Sequence, residues 1–323
     1  MRSIAFPGAT NPEQDRLSVL GFGCAALLGR ASRNESLKAL HSAFESGITF
    51  YDNARSYGYG ASEGLLGQFL QGKRDKVILC TKFGILPVAR NWKQMVKPVA
   101  RAAIRLVPSL RQAAQRQAAN QFNANQFTLS TLQSSLETSL RQLRTEYVDM
   151  LLMHDAPATV LQQQDLLESL GRLVEQGKIR MAGISAELPV MEEVFAQKPS
   201  VLCTAQFPLN LSSMAFSAQT AVQKHLFMVA NHPFGGAAGV AGTREQIVAL
   251  SKSSKLSKSV REKLDVNDPQ LLPELVFNTI LDGTGISAVI PAMIQPAHIR
   301  DNILAVEKCR FSSAELAEIR AAL

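Results

Sequence analysis

Eight short apolar runs, each followed by a stretch with helical patterning, predict a single domain over residues 1–323: an α/β fold of the (β/α)8 TIM-barrel type. Two further observations favour the barrel over an open sheet. The runs are rich in Val, Ile and Leu rather than alternating polar and apolar, as expected where both faces of a strand are buried. No G-x-G-x-x-G follows the first run, which reads only "GFGCAALLG", so the signature of a doubly wound dinucleotide fold is missing.

The elements follow in order. "SVLGFGCA" is the first strand, and "NESLKALHSAFESG" brings Leu37, Leu40, His41 and Phe44 to helical spacing before Gly47 stops it. "TFYD" is the second strand, with "SEGLLGQFL" as its helix, and "KVILCTKFG" is the third. "SLETSLRQL" precedes the fourth strand, "VDMLLMHD", and "DLLESLGRLVEQG" precedes the fifth, "IRMAGIS". "LPVMEEVFAQ" leads to "VLCTAQFP", "SAQTAVQKH" to "LFMVANHP", and "PELVFNTIL" to the eighth strand, "ISAVIPAM", with "PAHIRDNILAVEK" last. Two stretches exceed ordinary connections: a basic helical insert within residues 84 to 129 after strand three, and a long loop from 233 to 268 after strand seven. Both follow strands, so both are expected at the C-terminal mouth, where barrel active sites are built.

Composition narrows the class. A 46% hydrophobic fraction and a mean hydropathy of +0.02 supply a sizeable core. No run approaches the length of a membrane span, and "MRSIAFPGATNPEQDR" has no apolar stretch of a signal peptide. Cys24, Cys80, Cys203 and Cys309 lack metal spacing and read as buried reduced thiols, which suits the cytoplasm. The net charge of +7 is local, because Leu86 to Leu136 holds Arg90, Lys93, Lys97, Arg101, Arg105, Arg111 and Arg116 with no acidic residue. Without that segment the chain has 27 basic and 27 acidic residues.

Polar residues that end apolar strands converge on the mouth of such a barrel. Asp52 ends strand two, Lys82 ends strand three, His154 ends strand four, and Tyr57 lies in the glycine turn after Asp52. Singly, each has a plain structural reading: a helix cap, a surface lysine, a satisfied core histidine, a tyrosine packed over a turn. Together they have a chemical logic. A free phenol titrates near 10 and is a weak acid at neutral pH, and a neighbouring ammonium lowers that value. Lys82 can supply the ammonium, Asp52 can hold it charged, and His154 can hydrogen-bond a carbonyl beside the phenol. This is machinery for protonating a carbonyl oxygen, and hydride would have to come from a nicotinamide cofactor.

At these residues the sequence resembles the aldo-keto reductases, over nearly the whole chain. "GITFYDNARSYGYGASEGLLG" is similar to the family's strand-two signature, and "TKFG", "LRTEYVDMLLMHD", "GKIRMAGIS" and "TAQFPLN" match further segments in order. The resemblance implies a (β/α)8 barrel, NADPH-dependent reduction of a small aldehyde or ketone, and a catalytic tetrad of Asp52, Tyr57, Lys82 and His154, with Tyr59 at the pocket rim. It aligns Ser185 and Gln206 with residues that bind the nicotinamide carboxamide. The Asn that usually follows this Ser is Ala186, and Asn231 replaces the aromatic residue that usually stacks under the ring. After the last strand Ala292 and Met293 replace the usual polar start, His298 occupies the basic position, and Asn302 is retained. The charged grip on an adenosine 2′-phosphate is thereby thinned, which leaves NADH open beside NADPH.

The insert from Pro87 to Phe127 departs from the family. "VKPVARAAIRLVPSLRQAAQRQ" sets Val99, Ala103, Leu106 and Leu110 near one helical stripe with arginines elsewhere, which fits a flap turning a basic face to water. Its sharper readings are a lid over an anionic substrate and contact with an acidic partner or membrane surface. No recognition module or interleaved aromatic accompanies the charge, so nucleic acid is not an expected partner. The second functional class is a nucleotide-binding barrel with vestigial catalysis that senses redox state or binds a partner; Ala186, Asn231 and the altered phosphate site favour it, and the complete tetrad opposes it.

Overall fold

The computed structural model describes residues 1–8, 15–87, 122–235 and 239–323. Eight parallel strands form its sheet: β1 Phe22–Gly23, β2 Phe50–Asp52, β3 Ile78–Phe83, β4 Val148–His154, β5 Ile179–Ser185, β6 Leu202–Pro208, β7 Phe227–Asn231 and β8 Ala288–Ile290. They are neighbours in sequence order, and the ring closes where Gly21 N donates to Val289 O at 2.9 Å and Val289 N donates to Val19 O at 2.8 Å. The expected (β/α)8 barrel is the observed fold.

The outer helices are α1 Arg33–Glu45, α2 Ser62–Phe69, α3 Leu129–Leu143, α4 Gln164–Glu175, α5 Leu188–Gln197, α6 Ser217–Thr220, α7 Gly239–Ser251, α8 Lys258–Lys263, α9 Leu271–Leu281, α10 Pro296–Glu307 and α11 Ser313–Ala322. Local chemistry sets several of their ends. Ser32 and Glu35 form a reciprocal capping box at the start of α1, and Ser312 and Glu315 repeat it at α11. The Thr128 side chain caps α3, which ends at Arg144 in the left-handed region.

Side chains on successive strand residues point to opposite sides, and this period separates two cores. Tyr51, Leu79, Leu151, Met153, Ala182, Ala205, Phe207, Met228 and Val289 belong to the outer core under the helices. Phe50, Ile78, Cys80, Met150, Leu152, Met181, Phe227, Val229, Ala288 and Ile290 form a separate inner core that fills the barrel. An antiparallel hairpin of Ser3–Ala5 and Arg16–Ser18 plugs its base, where the Phe6 ring meets Phe227 edge-on at 6.2 Å. Among the described residues the lumen is therefore packed apolar from below, and its polar groups lie at the strand C-termini.

Four sequence expectations are corrected. "SVLGFGCA" divides between the hairpin and β1. "SAQTAVQKH" makes only the one-turn α6, because Asn210 starts a 3-10 turn early and Val222, 70% exposed, has no apolar face to continue it. Residues 233 to 268 are not a bare loop: Thr243, Ile247 and Leu250 bury at helical spacing in α7, and the Ser257 side chain caps α8. Cys203 and Cys309 are exposed while Cys24 and Cys80 are buried; the pairing of β5 with β6 slips between Leu202 and Thr204, which turns Cys203 outward. The insert begins and ends in a two-residue antiparallel pair, Leu86–Pro87 with Phe122–Asn123, and its seven basic residues lie outside the described residues.

Candidate active site

The inward set of each strand continues to its C-terminal end, and there it changes from apolar to polar. One step above the inner core, alternation brings Asp52, Lys82, His154, Ser185, Gln206 and Asn231 to the mouth. Gly183 sits inward on β5, where a Cβ would lie 2.3 Å from Thr204 O and 2.7 Å from Leu152 Cδ2. The absence of a side chain there lets the neighbouring strands close beneath the site.

The expected tetrad assembles. Lys82, 1% exposed, donates from Nζ to Asp52 Oδ1 at 2.6 Å and to the Asn53 carbonyl at 3.0 Å. The same ammonium lies 5.2 Å from the centre of the Tyr57 ring, which meets the His154 ring edge-on at 5.7 Å. Asp52 Oδ1 also accepts from Gln206 Nε2 at 3.0 Å, and Gln206 Oε1 in turn accepts from the Ser185 hydroxyl at 3.0 Å. One hydrogen-bonded chain thus runs Lys82–Asp52–Gln206–Ser185 and joins the groups expected at the acid to those expected at the cofactor.

The electrostatics follow from burial. Burial alone would lower the Lys82 value, but Asp52, Tyr57 and Cys80 outweigh it and hold the ammonium well above the ordinary lysine range. Tyr57 corrects the expectation of a lowered phenol: burial pushes it up to about 12, against the downward pull of the Lys82 ammonium. Desolvation of the phenolate is the larger of the two effects. His154 is pushed down to about 3 by burial and then by Lys82, so its imidazole is neutral at ordinary pH. Its Nδ1 is buried without a hydrogen-bond partner among the described residues.

Two hollows meet at Tyr57, Asn231 and His232. The first, about 260 Å³, runs from Gly23, Asp52 and Tyr57 past Phe234 and Gly235 to Ala292. The second, about 210 Å³, is lined by His154, Asp155, Ser185, Glu187 and Gln206 among others. A larger hollow of about 460 Å³ lies on the outer wall between α4 and Val201, far from the strand ends and without any of these groups. The remaining expected residues are dispersed. Asn231 is half-buried and its Oδ1 accepts from His232 Nδ1 at 2.8 Å; Ala292 and His298 are exposed; Met293 is wholly buried in the outer core; Asn302 is buried on α10. Met293, with neither side chain nor main chain exposed, presents no surface to a ligand, whereas its neighbour Ala292 lines the first hollow. Gln295 begins α10 without a side-chain cap, so the first N–H groups of that helix have no side-chain acceptor there.

Sequence reasoning missed the support beneath the tetrad. Arg55 and Glu63 form a buried ion pair at 2.6 Å, and Glu63 also accepts from the Thr81 hydroxyl at 2.7 Å. A charged residue on each flank of "SYGYGAS" was the available signal.

The comparisons with known proteins bear on the family and the fold. An aldo-keto reductase of Bacillus subtilis is 30% identical over 188 residues, 57% of this chain and 46% of that protein. A probable aldo-keto reductase of Glycine max is 30% identical over 178 residues, 54% of this chain and 42% of that protein. The chain thus spans less than half the length of these two relatives. L-galactose dehydrogenase of Arabidopsis thaliana is 23% identical over 326 residues, covering 95% of this chain and 91% of that protein. Among solved structures, an aldo-keto reductase of Bacillus halodurans in its holo form superposes with a TM-score of 0.71 at 21% identity, over 100% of this chain and 96% of that one. An aldo-keto reductase of Klebsiella pneumoniae in complex with NADPH gives 0.65 at 22% identity, over 99% and 95%. Among the described residues no helix is long and apolar enough to cross a membrane. The family model for the aldo/keto reductases matches residues 19–323, and the chain belongs to that family.

Proposed function

We propose that this protein reduces a small aldehyde or ketone to an alcohol with a nicotinamide cofactor, NADPH by preference, and that Tyr57 is the proton donor. The observation that carries the reading is the buried Asp52–Lys82 pair at 2.6 Å with its ammonium against the Tyr57 ring. Membership of the family and the NADPH bound to the Klebsiella pneumoniae relative support it.

The residues present fit the carboxamide end of the cofactor. Ser185 and Gln206 offer a hydroxyl and an amide at the barrel wall, and the hollow toward Ala292 has room between glycines 23 and 235. At the phosphate end the fit rests on main-chain N–H groups of α10 and on His298, with no arginine fork at Ala292 or His298. A bound reduced nicotinamide supplies hydride.

The chain's own groups do the rest. A phenol held near 12 keeps its proton at neutral pH, which is the form a general acid needs. As a carbonyl oxygen gains charge, Tyr57 transfers its proton and the resulting phenolate faces the Lys82 ammonium, which Asp52 keeps charged. The neutral His154 ring adds one N–H donor to the same oxygen. The reverse reaction needs the phenolate at the outset, so alcohol oxidation is expected to rise steeply with pH while reduction is not.

Purified protein with NADPH and a panel of aromatic and sugar aldehydes tests the reading through cofactor absorbance. Tyr57→Phe is expected to lower turnover about 10²–10⁴-fold, with NADPH affinity nearly unchanged. Turnover within twofold of the wild type in that variant would sink the assignment. Cofactor binding with no turnover on any carbonyl would favour the vestigial barrel, to which Ala186 and Asn231 point.

A further inference from the structure

Tyr57 stands in a segment whose two flanks are tied to one place on the barrel. On one side Arg55, 9% exposed, donates from Nη1 to Glu63 Oε2 at 2.6 Å and to Gln142 Oε1 of α3 at 3.4 Å. On the other side Glu63, 1% exposed, opens α2 and accepts the Thr81 hydroxyl on Oε1 at 2.7 Å. Thr81 is the residue before Lys82, and strand alternation turns Thr81 outward to Glu63 while Lys82 points inward to Asp52. The main chain repeats the tie, since Arg55 N donates to Lys82 O at 3.4 Å.

Between these anchors the chain is held in an uncommon shape. Gly58 and Tyr59 lie consecutively in the left-handed region, with φ of 57° and 58°. A side chain at Gly58 would strike Leu27 O at 2.8 Å. A non-glycine residue held in that region persists where its surroundings over-determine it. The buried pair is the surrounding element that spans the turn, and the α2 N-terminus favours the Glu63 carboxylate.

We propose that Arg55 and Glu63 are positioning residues: a buried clamp that fixes the Tyr57 hydroxyl against the Lys82 ammonium by tying its turn to Thr81. The inference rests on the reading of Tyr57 as the proton donor. Neither residue is placed against substrate or cofactor, and each acts through the turn. A displacement of about 1 Å in a reacting group can cost about 10²-fold in rate, which sets the scale of the effect.

The test is a double-mutant cycle on the reaction. Arg55→Met with Glu63→Met removes both charges together and leaves no lone buried ion. That variant is expected to lose about ten- to hundredfold in kcat on whichever aldehyde the wild type reduces. Its NADPH dissociation constant, read by fluorescence titration, is expected to stay within about threefold, as the clamp lies off the cofactor hollow. Arg55→Lys alone, which keeps a cation beside Glu63, is expected to retain most of the wild-type kcat. In a Tyr57→Phe background the same pair of substitutions is expected to cost nothing further. An equal loss in both backgrounds, or no loss in the wild-type background, overturns the clamp and leaves Tyr57 standing. A Tyr57→Phe enzyme with undiminished turnover overturns the function and the clamp together. Should the double variant fail to fold, as judged by circular dichroism, Glu63→Gln keeps the side-chain shape and carries the same comparison.

Discussion

Acid should destabilise this protein in part through one imidazole. His154 is held down to about 3 by burial and the Lys82 ammonium, whereas a histidine in an unfolded chain titrates near 6.5. Between those values the unfolded chain binds a proton that the folded one refuses, so stability rises with pH across the window. The contribution is fully present above about 6.5 and is lost as pH falls. At pH 5 the unfolded state gains about RT ln(1 + 10^1.5), which is about 2 kcal/mol, and at pH 6 about 0.8 kcal/mol. Urea unfolding of the wild type and of His154→Gln at pH 7.5, 6 and 5 isolates this share, because all other titrating groups are common to both. The wild type is expected to lose about 2 kcal/mol more than the variant between pH 7.5 and 5. Parallel stability curves would refute the account, since they would mean that His154 binds its proton equally well folded and unfolded.

Lys82→Met leaves the buried Asp52 carboxylate with the Gln206 amide as its side-chain partner among the described residues, a change expected to cost about 3–5 kcal/mol. For 323 residues at about 2.1 cal/mol/K each, calorimetry should find the Tm lowered by about 4–7 °C, with much of the loss regained on adding Asp52→Asn. His298→Arg, on the exposed first turn of α10, is expected to tighten NADPH by about tenfold and leave NADH unchanged, as read from the two dissociation constants. Equal gains for both cofactors would place the adenosine phosphate elsewhere.

Most strands were legible because they are short apolar runs buried on both faces, and three of the four expected tetrad residues were legible as a cluster because they are the polar residues that end those runs. Asp52, Lys82 and His154 needed only the strand period to be brought together. What the sequence hid is whatever depends on which effect wins in three dimensions. The phenol of Tyr57 is one case: proximity to an ammonium is readable from strand ends, while the burial that outweighs it is not. Cys203 is another, since a register slip in β6 has no mark in "VLCTAQFP". Helix α7 was hidden because its buried positions include Thr243, a polar residue serving an apolar stripe. The Arg55–Glu63 pair was hidden for a different reason: a buried ion pair eight residues apart looks like two surface charges until the turn between them is built.

Alternation along the strands gives this chain something like a reading frame. From Ile78 to Lys82, deleting one residue would turn Lys82 toward α2 and send a neighbour such as Thr81 or Phe83 into the lumen, so the ammonium would leave Asp52 without any change in composition. The same deletion beyond Ser185 or Asn231 would move no inward residue below it. Segments that must keep their parity and segments free to lose it therefore meet at the strand C-termini. Length changes are expected to be tolerated on the far side of that boundary, and the connections after β3 and β7, the longest in the chain, both lie there.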